Sequence, residues 1–421
     1  MKTEVSYSPS VEAIEKAANI LKNVALRTPL VKNDQYSEKF QCSVLFKRED
    51  LQQVRSYKIR GAYHKISSLG EEQRSRGIVC ASAGNHAQGF AFSCNQLKIS
   101  GTVFMPIPTP SQKIEQVKMF GGPYVSIVLG GDTYDDSQKA ALEHCKKHKQ
   151  VFVHPFDDVD VIEGQGTIAI EMIKQAEKPL DYIFVPIGGG GLISGILTVF
   201  KVLSPKTKVI GVEPLGAPSM KISLKNHKNT RLKKIDKFVD GAAVQRVGDL
   251  SFEICQNLLD DCITVDEGRI CQEILDLYNK EGIVAEPAGA LAIAGIDQYA
   301  SKIKGKQVAA ILCGGNNDIT RTPEIEERAL LHAQLKHYFI VRFPQRAGAL
   351  KDFVTNVLGP EDDITYFEFT KKSNQHFAPA VLGVELKKAQ DFDSLLDRMK
   401  TQGFFSEYLN DKPDLFKFLK N

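Results

Sequence analysis

Lys58 lies in Ser56-Tyr57-Lys58-Ile59-Arg60-Gly61-Ala62, just after the strand-like Val44-Leu45-Phe46-Lys47. Apolar chain and an aromatic neighbour surround it, and burial disfavours an ammonium and lowers its pKa. The neutral amine is a nucleophile that can form an imine with an aldehyde or ketone. A lone lysine beside Arg-Gly is normally a surface residue, since lysine is rarely fully buried. Its companions decide the matter.

Four further stretches carry chemistry. Ser82-Ala83-Gly84-Asn85-His86-Ala87-Gln88-Gly89 follows the apolar Val79-Cys80. Its small residues let backbone approach a ligand, and the helix start behind it suits a carboxylate. Asn85 adds an amide that donates and accepts, whereas His86 reads better as a locally satisfied helix residue than as a catalytic base. Gly188-Gly189-Gly190-Gly191-Leu192 lies between an apolar strand and an apolar helix. Consecutive backbone N–H groups at such a turn cradle a phosphate. Neither a GxGxxG fingerprint nor a P-loop Lys-Ser/Thr is present, which argues against dinucleotides and triphosphates. Ile311-Leu312-Cys313-Gly314-Gly315-Asn316-Asn317-Asp318 closes another strand, and Cys313 there is either a core thiol or a weak S–H contact to a heterocycle nitrogen. Glu286-Pro287-Ala288-Gly289-Ala290 sets a carboxylate before a proline-initiated helix.

The elements around these stretches form a regular rhythm. A helix is expected from Ser8-Pro9 to Leu21. Strands at Gly77–Cys80, Thr102–Met105, Tyr124–Val128, Tyr182–Ile187, Lys208–Val212 and Val308–Leu312 alternate with helices. These strands are apolar throughout, which predicts parallel sheets buried on both faces, with ligands at their C-terminal ends. From Tyr182 to Phe200 nineteen residues carry no charge, but Pro186 and the four glycines break the run, so no membrane span is expected. Past Thr322 the rhythm becomes β-α-β-β-α-β in about 85 residues, a ferredoxin-like order. We therefore expect a catalytic region over 1–322, with a smaller subdomain at about 55–155 inserted in it. A helical linker at 323–337 and a second domain over 338–421 follow.

Composition narrows the class. With 421 residues, 43% hydrophobic and 25% charged, the chain suits two or three soluble domains. A net charge of +3 gives no footprint for nucleic acid, and the basic Lys221–Lys234 stretch, without acids or aromatics, reads as a solvated loop. The eight cysteines show no paired CxxC spacing, and no apolar leader core is visible. Reduced thiols in a cytoplasmic protein are expected, and no metal is assigned.

An imine-forming lysine, a phosphate cradle, an amide for a ring hydroxyl and a contact for a ring nitrogen together match pyridoxal 5′-phosphate. On SYKIRGA, SAGNHAQG, GGGGL, EPAGA and LCGGN, spread over about residues 10–325, the sequence resembles the biosynthetic threonine dehydratases (threonine ammonia-lyases) of the fold type II pyridoxal-phosphate enzymes, which are tryptophan synthase β-like. The resemblance implies that Lys58 holds the cofactor as an imine and moves the Cα proton. It implies Asn85 for the cofactor O3′, Gly188, Gly189, Gly190, Gly191 and Leu192 for the phosphate, and Cys313 for the ring nitrogen. Ser82, Ala83, Gly84, Asn85 and His86 would hold the substrate. A neutral thiol at the ring nitrogen favours expulsion of a β-hydroxyl over a long-lived carbanion. L-Threonine would thus give 2-oxobutanoate and ammonia, the first step from threonine toward isoleucine.

Phe343-Pro344-Gln345-Arg346-Ala347-Gly348-Ala349-Leu350 and Asp363-Ile364-Thr365 resemble the ACT-like regulatory module of that family, with Gln345 and Ala347 where Glu and Pro are usual. One module is present, the short form. Isoleucine is the implied inhibitor and valine the opposing ligand, in a homotetramer. The rival readings are a degradative serine/threonine dehydratase, a serine racemase, and a non-catalytic amino-acid sensor.

Overall fold

The computed structural model describes residues 9–370, 376–412 and 415, and the chain divides into two compact units, Met1–Ile319 and Thr320–Asn421. In the first unit ten strands form two sheets. They are β1 (Leu30–Asn33), β2 (Ser43–Arg48), β3 (Ile78–Ala81), β4 (Gly101–Met105), β5 (Val125–Leu129), β6 (Val151–Phe152), β7 (Tyr182–Pro186), β8 (Lys208–Pro214), β9 (Asp261–Val265) and β10 (Gln307–Leu312). The large sheet runs β1-β2-β10-β7-β8-β9 and the small one β5-β4-β3-β6. Every pairing is parallel except that of β1 with β2, which is antiparallel.

Strands β3, β7 and β10 are buried almost end to end, as parallel strands covered by helices must be. The antiparallel edge strand β1 departs from the expected pattern: its middle residues, Val31 and Lys32, are exposed, so it lacks the apolar run that marks its neighbours. The first helix, Val11–Leu21, is capped by the Ser10 hydroxyl, which accepts from Ala13 N at 3.1 Å, so the Ser8-Pro9 start is corrected by two residues. Ser8 itself lies outside the described residues. The expected loop at Lys221–Lys234 is corrected too, because the Ser219–Lys225 helix occupies its first part.

The Lys58–Ser68 helix is fixed by buried charge. Arg60 is 1% exposed and holds Glu49, itself 0% exposed, through two bonds of 2.8 and 2.9 Å. It also donates to Glu171 at 2.7 Å, and Lys47 donates to the same carboxylate at 2.6 Å. Buried charges persist only when paired and hydrogen-bonded in this way. The cluster ties the helix to β2 and to the Val159–Gln175 helix.

The second unit contains β11 (Lys336–Pro344), β12 (Asp363–Phe369), β13 (Phe377–Glu385) and β14 (Phe405–Tyr408), with helices Ala349–Asn356 and Phe392–Thr401. The sheet order is β12-β13-β11-β14, all antiparallel, which is the ferredoxin-like arrangement. Phe339, Phe343, Phe353, Leu382 and Leu395 form its core.

Candidate active site

In the first unit a cavity of about 510 Å³ opens where parallel strands end. Ala81 ends β3 and Ser82 follows it, Pro155 and Phe156 follow β6, Gly188 follows β7 and Cys313 follows β10, and all of them line it. This is where ligand sites form in open parallel sheets, and the volume suits a small-molecule ligand.

Lys58 begins its helix and faces this cavity. It is half-buried, and the Nζ donates to Pro155 O at 2.8 Å. Burial pulls its pKa down to about 8, opposed by Cys313 and Glu286 nearby. A helix can come so close because position 89 is glycine: a Cβ there would lie 2.9 Å from the Lys58 carbonyl carbon. The amine is thus held among protein atoms with the Pro155 carbonyl as its hydrogen-bond acceptor, and its neutral, nucleophilic form is more populated than in an ordinary lysine.

Asn85 opens the Asn85–Leu97 helix, and no side chain caps that helix. Its Nδ2 donates to Glu286 Oε1 at 2.5 Å, while its Oδ1 accepts from Asn316 Nδ2 at 2.7 Å. Ser82, Ala83, Gly84 and His86 share the same wall. The first turn of an uncapped helix carries N–H groups with no intrahelical acceptor, which suits an anion. His86 Nε2 lies 3.0 Å from Val153 O, and its Nδ1 is buried without a partner. Burial, with Lys58 nearby, pulls the His86 pKa down to about 3, so the imidazole is neutral.

Of the glycine run, Gly188 reaches the cavity wall, whereas Gly189, Gly190, Gly191 and Leu192 form the turn and helix start that follow. Gly190 has φ +98°, a conformation open to glycine. A Cβ on Gly189 would sit 2.1 Å from the Phe156 ring, so that ring and the turn depend on each other. Cys313 is 4% exposed, and burial raises its thiol pKa well above the usual value. The thiol is therefore neutral, and its S–H donates a hydrogen bond to Ala288 O at 3.3 Å. Holding a ring nitrogen by S–H donation would require the thiol to turn from that carbonyl.

Sequence reasoning missed Phe156 and the 240–246 segment, which complete the wall, and gave Glu286 no role in the site. The strand-end rule could have found Phe156, since it follows β6, but a two-residue strand leaves little pattern. His64, Asp160 and Glu163 also bring potential ligand atoms within 4.8 Å of one another, but Lys65 already pairs with Asp160 at 2.9 Å.

The parallel-sheet pair and its buried lysine at the strand ends define the class, the pyridoxal-phosphate-dependent enzymes. A family model described as "Pyridoxal-phosphate dependent enzyme" matches residues 21–314, and one described as "C-terminal regulatory domain of Threonine dehydratase" matches 327–419. The chain is 54% identical to the L-threonine dehydratase biosynthetic IlvA of Halalkalibacterium halodurans, covering 97% of this chain and 99% of that protein. It is 51% identical to the Bacillus subtilis protein of the same name, over 97% of each chain. Among solved structures, the processed form of threonine deaminase isoform 2 from Solanum lycopersicum aligns with a TM-score of 0.72 at 39% identity, over 76% of this chain and 95% of that one. The chain belongs to the biosynthetic L-threonine dehydratases.

The residues present fit pyridoxal 5′-phosphate. The cavity offers an amine of lowered basicity, Gly188 at the head of the glycine turn, an oriented amide and a neutral thiol, one group for each polar feature of the cofactor.

Proposed function

We propose that this chain removes water and then ammonia from L-threonine, giving 2-oxobutanoate as the first step from threonine toward isoleucine, with Lys58 as the central residue. The supporting observation is the Lys58 amine, held in a cavity whose wall also carries Asn85, Gly188 and Cys313. Bound pyridoxal 5′-phosphate supplies an aldehyde that captures amines and a ring that accepts the electron pair left at Cα.

The chain's own groups supply the rest. Lys58, with its pKa near 8, takes the Cα proton, and the β-hydroxyl leaves as water once it gains a proton. The net atoms balance: one water is lost in elimination, and one is consumed when ammonia is released. Ser82, Ala83, Gly84 and the first turn at Asn85 and His86 orient the carboxylate. Gly188 through Leu192 hold the phosphate, and Cys313, neutral, meets the ring nitrogen without forcing a proton onto it. The testing experiment is a 2-oxobutanoate assay with L-threonine and L-serine, with and without isoleucine. Equal turnover of serine with no isoleucine response would favour a degradative dehydratase.

The second unit supports an amino-acid effector. A cleft of about 250 Å³ is lined by Phe343, Leu350, Phe367 and Phe369, with Arg346 and the Gly348–Ala349 helix start beside them. Aromatic walls suit a branched aliphatic side chain, and the guanidinium and helix N–H groups suit its carboxylate. Isoleucine fits as inhibitor and valine as its opponent, coupled to threonine affinity through a shared equilibrium. Among the described residues no helix is long and apolar enough to cross a membrane. All eight cysteines are unpaired, in keeping with work in a reducing cytoplasm. We expect a homotetramer, which light scattering would test.

A further inference from the structure

Glu286 precedes the Pro287–Ala294 helix, yet its side chain makes no cap bond to that helix. The carboxyl turns instead into the cavity wall, where Asn85 Nδ2 donates to it at 2.5 Å, and the residue is 6% exposed. Space for it comes from Gly314: a Cβ there would lie 2.2 Å from Oε1. Asn85 is held from its other end as well. Asn316 Nδ2 donates to Asn85 Oδ1 at 2.7 Å and to the Val54 carbonyl at 2.9 Å.

These partners remove the ambiguity that an asparagine amide normally carries. A carbonyl oxygen accepts only, so Val54 fixes which end of Asn316 is nitrogen. Asn316 then meets the Asn85 oxygen, and an ionised Glu286 accepts from the Asn85 nitrogen. One Asn85 N–H is thereby occupied, and the second remains for the cavity.

We propose that Glu286 is a positioning residue: through Asn85 it presents an N–H donor to the cofactor's ring oxygen and keeps that oxygen an acceptor. This rests on the functional reading above. The charged and titratable groups that act on Glu286 are Tyr57 just before the Lys58–Ser68 helix, Lys58 on that helix, Lys113 on the Ser111–Gly121 helix, Asp240 on the facing loop, and Cys313 after β10. Burial leads these influences and raises the Glu286 pKa to about 7, so the support it gives Asn85 is sensitive to the surrounding charge.

The test uses full-length enzyme loaded with pyridoxal 5′-phosphate. Borohydride must first fix the cofactor to the unaltered protein; failure there removes the functional reading and not this proposal alone. Glu286→Gln and Glu286→Leu are then compared by cofactor dissociation constant and by the pH at which the visible band of the bound cofactor changes, with thermal unfolding as control. Gln keeps an acceptor for Asn85 but no charge, so cofactor affinity stays within about threefold, and the transition moves to lower pH by about half a unit as a nearby negative charge is lost. Leu supplies no acceptor and leaves a buried donor unpaired, so affinity falls by about tenfold. A Gln variant whose spectral transition superimposes on that of the unaltered enzyme overturns the proposal, whatever becomes of the Leu variant. So does a folded Leu variant that binds cofactor as tightly as the parent.

Discussion

The two units solve opposite problems with opposite materials. The catalytic unit buries charge: Lys47, Glu49, Arg60, Glu213, Glu273 and Glu286 are all nearly inaccessible. In the second unit, among the described residues, His337 is the polar residue buried as a whole and Asp362 buries its carboxylate beside Arg398, while the core is aromatic and aliphatic. Burying an ion is costly unless it is paired, so the first unit spends much of its polar chemistry fixing its elements to one another, with Glu286 alone of these six in the cavity wall. The second needs a surface that an amino acid can enter and leave. Its cleft keeps Phe367 and Phe369 partly exposed and its Arg346 guanidinium, paired with Asp352 at 2.6 Å, largely in solvent. Rigid prepayment suits catalysis, and a soft apolar cleft suits regulation.

That contrast can be broken at several points. Lys58→Ala should lower 2-oxobutanoate formation on the order of a thousandfold or more, with circular dichroism unchanged, because it removes the proton carrier and the covalent anchor together. Arg60→Met leaves Glu49 and Glu171 without their shared partner and should destabilise the catalytic unit by about 3–5 kcal/mol in denaturant unfolding. Arg346→Ala, on the soft side of the comparison, should raise the isoleucine concentration for half-inhibition by about tenfold through loss of a carboxylate partner. The smallest effect is one of pH. Burial lowers the Lys58 pKa to about 8, so the neutral amine gains population as pH rises, reaches half at about 8 and is nearly complete about one unit higher. Loading of cofactor-free protein with pyridoxal 5′-phosphate should therefore accelerate from pH 7, reach half its limit at about pH 8 and level off about one unit above that. An ordinary lysine would keep accelerating toward about 10.4.

Much of this was readable before any coordinates. SAGNHAQG, GGGGL and LCGGN lie at strand ends, where unusual residue types stand out against apolar runs. The ferredoxin-like order of the second unit followed from its alternating elements. Other features depend on distant partners that no local pattern carries. Arg60 meets Glu171 across 111 positions, and Asn85 meets Glu286 across 201, so neither the buried charge cluster nor the oriented amide was visible. Strand β1 escaped because half of its residues face solvent, and Phe156 because β6 has two residues.

The central claim is that Lys58 carries the cofactor, and one measurement meets it directly. Loaded protein is reduced with borohydride, digested, and its peptides are mapped by mass spectrometry. We predict a reduced pyridoxyl-phosphate adduct on Lys58 and on no other lysine. An unmodified Lys58 in protein that turns over threonine, or an adduct on a different lysine, would contradict the account.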